Sequence, residues 1–384
     1  MGISKNIPYG RQSIDEQDLK AVTDALTSGW LTTGPKVAEF EQAVAEISGV
    51  AHGVAVNSGT AALHAAMYAF DVKEGDEVIV PPMTFAASAN CVAYMKAIPV
   101  FADVDPKTLL IDPAEVEKKI TPKTKGIIAV DYTGQPCDYE ALRKIADKHG
   151  LFLAADGCHS IGGSLNGKKV GSLADITLYS FHPVKHMTTG EGGMAVTDNA
   201  EYDKRMRIFR NHGITADFRQ RDGWFYEMQD LGFNYRITDF QCALGLSQLS
   251  RLPEWIKRRR EIAAMYDEKF AAMDGLTPLG KLEGSEHAYH LYVINLEGKN
   301  RSEKRKEVFD YLRAHGLGVQ VHYIPVHLHP YYKDNFGTHE GMCPVAEEAY
   351  DGLISLPMFP LMEDEDVNHV VVTVKAALAE VSDK

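Results

Sequence analysis

The sequence predicts an α/β fold built on a mostly parallel sheet, and three features lead there. Between about residues 54 and 198, short apolar runs alternate with helical segments. Those runs are continuous in Val, Ile, Leu and Ala rather than alternating with polar residues, as strands covered on both faces should be. The 384 residues are 45% hydrophobic and 24% charged, an ordinary globular balance with enough apolar material for a large core.

The elements follow in order. Residues 15–28 carry Leu19, Val22 and Leu26 at helical spacing, and Val37, Phe40, Val44 and Ile47 repeat the pattern after Pro35. Between these helices, Gly29-Trp30-Leu31-Thr32-Thr33-Gly34-Pro35 reads as a loop able to approach a ligand. Strands are expected at 53–56, 77–80, 100–104, 126–130, 151–155, 176–179 and 194–197. In such a sheet, ligands bind at the carboxyl ends of the strands.

A polar, aromatic loop is expected over 218–235, and helices resume at Thr238. A long helix over 253–273 then leads into a second unit, with strand-like 290–295, a helix near 302–315, strand-like 319–323 and a last helix near 363–381. A chain of this length exceeds the usual single-core limit. The expected division is a large domain over 1–250 and a smaller C-terminal α/β domain over 251–384, with the ligand site where they meet.

Composition removes several function classes. A formal charge of −13 disfavours a nucleic-acid binder, and the basic run Lys257-Arg258-Arg259-Arg260 sits in a helical pattern with Glu254, Glu261 and Asp267, as a solvated face would. Cys91, Cys137, Cys158, Cys242 and Cys343 form no CxxC pair, which fits reduced thiols in a cytoplasm. The absence of a signal-length apolar stretch near Met1 and of any 18-residue apolar run leads to the expectation of a cytoplasmic protein without a membrane span.

Three motifs carry chemistry. Asn57-Ser58-Gly59-Thr60-Ala61-Ala62-Leu63 follows a strand and opens an alanine-rich helix, whose free N–H groups and positive dipole end suit a phosphate; Ser and Thr there are also ordinary N-caps. In Ala154-Ala155-Asp156-Gly157-Cys158-His159 an acid ends a strand that otherwise reads as buried, and a carboxylate there needs a partner. A protonated pyridine nitrogen is such a partner, and a ring held protonated draws electrons from a carbanion, the core of pyridoxal chemistry.

The third motif runs Ser180-Phe181-His182-Pro183-Val184-Lys185-His186-Met187-Thr188-Thr189-Gly190-Glu191-Gly192-Gly193. Only a neutral amine attacks an aldehyde, and burial or nearby positive charge brings a lysine to that state. Alone, a loop lysine is usually solvated surface. Phosphate turn, acid, hydroxyl and lysine in this order, each at a strand end, are much harder to explain as chance.

At this point the chain resembles the DegT/StrS family of sugar aminotransferases, of aspartate-aminotransferase-like fold, over nearly its whole length. The likeness rests on SGTAAL, the Asp156/His159 pair, SFHPVK followed by TTGEGG, LGFNYRITDFQCALGLSQL and HYIPVHLHPYY. It implies pyridoxal 5'-phosphate as cofactor, with Lys185 as covalent anchor and general acid/base and Asp156 paired with the ring nitrogen. His159 would lie near the ring's 3' oxygen, where many relatives carry glutamine. Ser58, Gly59, Thr60, Ala61 and Ser180 would hold the phosphate, and Phe85 would stack on the ring face. Asn234 is similar to the residue that family members lend across a homodimer interface to the neighbouring phosphate.

The resemblance also implies L-glutamate as amino donor and a UDP-linked or dTDP-linked keto sugar as acceptor. FHPVKHMTTGEGG, YEMQDLGFNYR and IPVHLHPYY are most similar to the branch acting in pseudaminic acid biosynthesis, on a UDP-linked 4-keto-6-deoxy-L-sugar with a 2-acetamido group. Tyr9, Leu31, Thr32, Thr33, His322 and Tyr323 are the candidate sugar-nucleotide contacts. Sugar dehydrases of this fold tend to replace the anchoring lysine with histidine, so Lys185 favours transamination. His322, His327 and His329 could suggest zinc, but no carboxylate or cysteine nearby completes a pattern, and no metal is expected. A sugar-sensing relative without activity would usually have lost the lysine or the acid.

Overall fold

The seven runs expected as strands all form, and they hydrogen-bond into one sheet. The computed structural model describes residues 6–215 and 224–382, so the start of the loop expected over 218–235 lies outside the described residues. The chain opens with helices α1 (Glu16–Thr27) and α2 (Pro35–Ser48), then alternates β1 (His52–Val56), α3 (Gly59–Ala69), β2 (Glu77–Val80), α4 (Ala87–Tyr94), β3 (Ile98–Phe101), α5 (Pro113–Lys118), β4 (Thr124–Val130), α6 (Tyr139–His149) and β5 (Phe152–Asp156). A small hairpin, β6 (Ser164–Leu165) and β7 (Lys168–Lys169), precedes β8 (Ile176–Ser180), β9 (Gly193–Thr197), α7 (Ala200–Phe209) and α8 (Asp239–Phe270).

Local sequence explains the boundaries. Asp15 caps α1 by accepting from the Gln17 and Asp18 N–H groups, and Asp18 returns the bond in a capping box. Pro35 occupies the first turn of α2, where its missing N–H costs nothing, and Gly49 ends that helix in the left-handed conformation.

The sheet order is β1-β9-β8-β5-β4-β2-β3. Only β9 runs against the rest, pairing antiparallel with both β1 and β8, while the other pairs are parallel. Period-two alternation sorts the side chains. Val54, Val56, Leu178 and Ala195 join the core beneath α3, whereas Ala55, Tyr179, Met194 and Val196 join a core with Phe40 of α2 and Leu252 and Trp255 of α8. Helices thus cover both faces, and the carboxyl ends of β1, β2, β4, β5 and β8 open on one side.

The second unit holds β10 (Leu276–Pro278), β11 (Ser285–Glu286), β12 (Tyr292–Leu296), α9 (Arg301–Ala314), α10 (Pro330–Phe336), α11 (Pro344–Gly352), β13 (Leu353–Leu356) and α12 (Asp364–Ser382). Strands β10, β12 and β13 form an antiparallel sheet that packs with α9 and α12 around a core of its own. Ile7 belongs to that core too, through backbone bonds with Gly316 and Gly318.

Two expectations fail. The helix expected to begin at Pro253 is the second half of α8, which runs unbroken from Asp239. Proline removes one backbone donor, but Leu249 and Leu252 before it and Trp255 and Ile256 after it are buried on the same side, and that packing carries the helix through. This helix also links the two units, giving Cys242, Leu249, Leu252, Trp255 and Ile256 to the core with Phe40 and Ile262, Ala263, Tyr266 and Phe270 to the core of the second unit. The strand expected over 319–323 does not form either: Leu317 bridges Ile7, Gln320 bridges Ser355, and the His322 carbonyl accepts from the Tyr132 hydroxyl, so the segment divides its pairing among three partners.

Candidate active site

A cavity of about 440 Å³ opens at the carboxyl ends of the parallel strands, within the size range of small-molecule sites. Of the residues singled out from the sequence, Ser58, Gly59, Thr60, Phe85, Asp156, His159, Ser180, Lys185, Tyr9, His322 and Tyr323 line it.

The phosphate turn is shaped by α3. Ser58 caps this helix, its Oγ accepting from the Ala61 N–H at 3.1 Å, so Ala61 serves the turn rather than the cavity wall. Among the described residues, the Gly59 and Thr60 N–H groups have no acceptor. Gly59 is required by crowding, since a β-carbon there would lie 2.9 Å from Ser180 Cβ. Gly193 does the same from β9, where a β-carbon would lie 2.4 Å from the Ser58 carbonyl oxygen.

Asp156 ends β5, buried, in register with Val130 of β4 and Leu178 of β8. One carboxylate oxygen accepts from Ser88 Oγ at 2.6 Å and the other from the Cys158 N–H at 3.2 Å. Asp131, just beyond β4, is a second buried acid, bonded to the Tyr139 hydroxyl at 2.7 Å and to Ser160 Oγ at 2.6 Å. Burial, against these bonds, pushes its pKa up to about 7, and the nearby Asp156 adds to the rise.

Lys185 sits in the loop from β8 to β9. That loop is closed by Phe181 N–H to Gly192 O at 2.9 Å and Thr189 N–H to Phe181 O at 3.0 Å, and its Lys185 N–H donates to His182 O at 2.9 Å. Among the described residues no acceptor bonds the lysine Nζ. Removal of its surroundings from water lowers the Lys185 pKa, with Cys158 and Asp156 pulling the other way, which favours a neutral amine.

His159 is buried; its Nε2 lies 3.4 Å from the Tyr323 hydroxyl and its Nδ1 has no partner. Burial first, then Lys185, holds it well below the usual histidine range. His322 bonds Ser355 Oγ through Nδ1 at 2.8 Å and is lowered to about 4 by burial. His327 turns away to Glu347, 2.8 Å from its Nε2, so the three histidines of 322–329 do not converge. Among the described residues no cluster of His, Cys, Asp and Glu is placed to hold a metal ion, and no helix is long and apolar enough to cross a membrane.

Besides Ala61, four expected residues stand outside this cavity. Leu31, Thr32 and Thr33 are exposed and tied to the start of α8, through Asp239 N–H to Leu31 O at 3.1 Å and a Thr32–Thr238 bridge. Asn234 is also exposed and bridges Asn211. Ser88, Asp131, Cys158 and His290 are the residues that sequence reasoning did not single out for the site. For Ser88, Asp131 and Cys158 the one signal was position after a strand end, which many idle residues share, and His290 stands ahead of β12 with no signal of its own.

The geometry fits pyridoxal phosphate: unpaired N–H groups at a helix start, a buried acid at a strand end and a desolvated lysine facing the same space. A fold of this kind with this lysine is that of a pyridoxal-phosphate-dependent aminotransferase. The family model for the DegT/DnrJ/EryC1/StrS aminotransferase family matches residues 12–375, and the chain belongs to that family. It is a sugar aminotransferase with pyridoxal 5'-phosphate as cofactor.

Among curated proteins, the chain is 41% identical over 375 residues to the spore coat polysaccharide biosynthesis protein SpsC of Bacillus subtilis, covering 96% of each. Among solved structures it is similar to the putative sugar aminotransferase Spr1654 from Streptococcus pneumoniae in its PMP-form, with a TM-score of 0.94, 34% identity and coverage of 99% of this chain and 100% of that one. It is also similar to Helicobacter pylori PseC, an aminotransferase involved in the biosynthesis of pseudoaminic acid, with a TM-score of 0.92, 34% identity and coverage of 98% and 100%.

Proposed function

We propose that this aminotransferase converts a nucleotide-linked 4-keto-6-deoxy sugar to the 4-amino sugar with L-glutamate as donor. The substrate that the sequence tracts favour is UDP-2-acetamido-2,6-dideoxy-β-L-arabino-hexos-4-ulose, giving UDP-4-amino-4,6-dideoxy-N-acetyl-β-L-altrosamine. The observation that carries the reading is Lys185, desolvated, in one cavity with Asp156 and the Ser58–Thr60 turn. The likeness to PseC supports the choice of sugar.

When bound, the cofactor supplies a carbonyl that receives the amino group and a ring that takes up electrons. Asp156 keeps a proton on the ring nitrogen, held in line by Ser88 and the Cys158 N–H. The Gly59 and Thr60 N–H groups and Ser180 would hold the phosphate, and Phe85, which lines the same cavity, would meet the ring. Lys185 Nζ would hold the cofactor at its carbonyl end and, once displaced by the incoming amine, would carry a proton to and from the carbon that loses or gains the amino group. His159, kept neutral by burial, would serve the ring oxygen. Tyr9, His322 and Tyr323 line the sugar end, with Tyr9 and His322 rings 5.8 Å apart.

Asn234, Leu31, Thr32 and Thr33 serve the site of a second copy in a homodimer with shared active sites. Support comes from their exposure outside their own cavity and from the exposed apolar side chains around them, including Trp30, Leu231 and Phe233. The five free cysteines support a cytoplasmic location.

A mass-spectrometric assay with L-glutamate and a panel of UDP- and dTDP-linked keto sugars tests the substrate. The expected product is the 4-amino UDP sugar with one equivalent of 2-oxoglutarate. Amination of only a dTDP or 3-keto sugar, or loss of a hydroxyl without amination, would replace this reading.

A further inference from the structure

Two buried histidines have no part in the chemistry above: His186, next in sequence to the lysine, and His290, which lines the cavity. The ring of His290 stands 4.3 Å from that of His159 at 43° and 5.7 Å from that of His186 at 48°. His186 Nε2 donates to the Ala288 carbonyl at 3.0 Å, which fixes its tautomer because a carbonyl only accepts. His159, by contrast, has one long polar contact, with Tyr323, so packing sets its ring orientation.

The segment between them is anchored independently. Ala288 N–H donates to Gly134 O at 2.8 Å and Leu291 N–H to Thr133 O at 3.1 Å. The buried Arg259 guanidinium donates to Tyr289 O at 3.1 Å and His290 O at 3.3 Å. Gly134, at a φ of 107°, lets the two histidine-bearing segments meet: a β-carbon there would lie 2.6 Å from His159 O and 2.9 Å from the His290 nitrogen.

We propose that residues 288–290 form a brace that sets Lys185 and His159 relative to one another, with His186 and His290 as its two positioning residues. This rests on the reading in which Lys185 anchors the cofactor and His159 contacts it. His186 fixes the lysine loop by its hydrogen bond, and His290 fixes the His159 ring by contact. The charged and titratable groups facing them are Lys185, His159, His322, His287 and Arg259; burial above all holds His159, His186 and His290 well below the usual histidine range, so the brace carries geometry rather than charge.

The test uses holoenzyme carrying His186→Leu, His290→Ala or the ring-keeping His290→Phe. It reads cofactor dissociation, the pH midpoint of the cofactor's visible band, and kcat separately from KM. His186→Leu and His290→Ala should each move the midpoint by about half a unit or more and weaken cofactor retention about threefold or more, His290→Phe should stay near wild type, and His290→Ala should add little to His159→Ala. If His186→Leu does not fold, His186→Asn replaces it and should show the same direction at smaller size. Folded variants with wild-type midpoint and retention, His290→Phe behaving as His290→Ala, or full additivity with His159→Ala would overturn the brace. Borohydride fixation of cofactor on Lys185 in every variant keeps the test separate, because its failure in the wild-type protein would strike the proposed function instead.

Discussion

Ser88 Oγ donates to Asp156 Oδ2 at 2.6 Å, and Thr84 Oγ1 lies 2.7 Å from Ser88 Oγ, all three side chains buried. An ionised carboxylate only accepts, so Ser88 spends its single proton on Asp156 and takes one from Thr84. The hydroxyl pair, from the segment after β2, therefore aims an acid at the end of β5. Ser88→Ala should leave cofactor bound and lower kcat roughly 3- to 30-fold through a less well held carboxylate. Asp156→Asn should keep the fold and lower kcat by roughly 10²–10⁴. Near-normal steady-state turnover in the second variant would remove Asp156 from its assigned role.

Gly193→Ala tests the phosphate turn without touching a polar group. The added carbon would meet the Ser58 carbonyl oxygen at 2.4 Å and the Gly59 nitrogen at 2.7 Å, both backbone, so β9 or the turn must shift. Cofactor affinity, measured by equilibrium dialysis, should fall by about tenfold or more, and the melting temperature should drop with it.

Sharing of sites between copies gives a complementation experiment. Lys185→Ala and Asn234→Ala should each be nearly inactive alone. Mixed and allowed to exchange, half of the dimers carry one site with both defects and one with neither, so activity should return to about a quarter of wild type. Two inactive proteins that stay inactive after demonstrated exchange would count against a lent Asn234.

Asp131 predicts a pH dependence of stability. Its folded pKa, raised to about 7 by burial, exceeds its unfolded value. The resulting contribution is fully present below the unfolded pKa near 4 and is lost as pH rises through about 7. Thermal unfolding between pH 5 and 8 should therefore show wild type losing roughly 1–4 kcal/mol from this group, while Asp131→Asn, whose amide oxygen can still accept from the Tyr139 hydroxyl and from the Cys137 N–H, 3.0 Å away, shows a flatter profile. An unchanged slope in the variant would refute the charge as the cause.

Much of this site was readable from residue order because strand ends are where parallel sheets place ligands. Asp156, Ser180 and Lys185 follow strands that continuous apolar runs announce, and Ser58 announces the helix it caps. Ser88 and His290 were not readable, since each acts through a residue distant in sequence: Ser88 meets Asp156 across 68 positions. Local pattern also misread Pro253 as a helix start, where packing on both sides of it carries α8 through. It misread 319–323 as a strand, where Ser355 takes the backbone groups of Gln320 and the Tyr132 hydroxyl takes the His322 carbonyl.

Cofactor attachment turns on the Lys185 amine. Borohydride reduction of the yellow holoenzyme, followed by peptide mapping, should find the reduced cofactor on the peptide containing Lys185, with loss of the visible band. Cofactor fixed to another lysine, or none fixed in a protein that still transaminates, would contradict it.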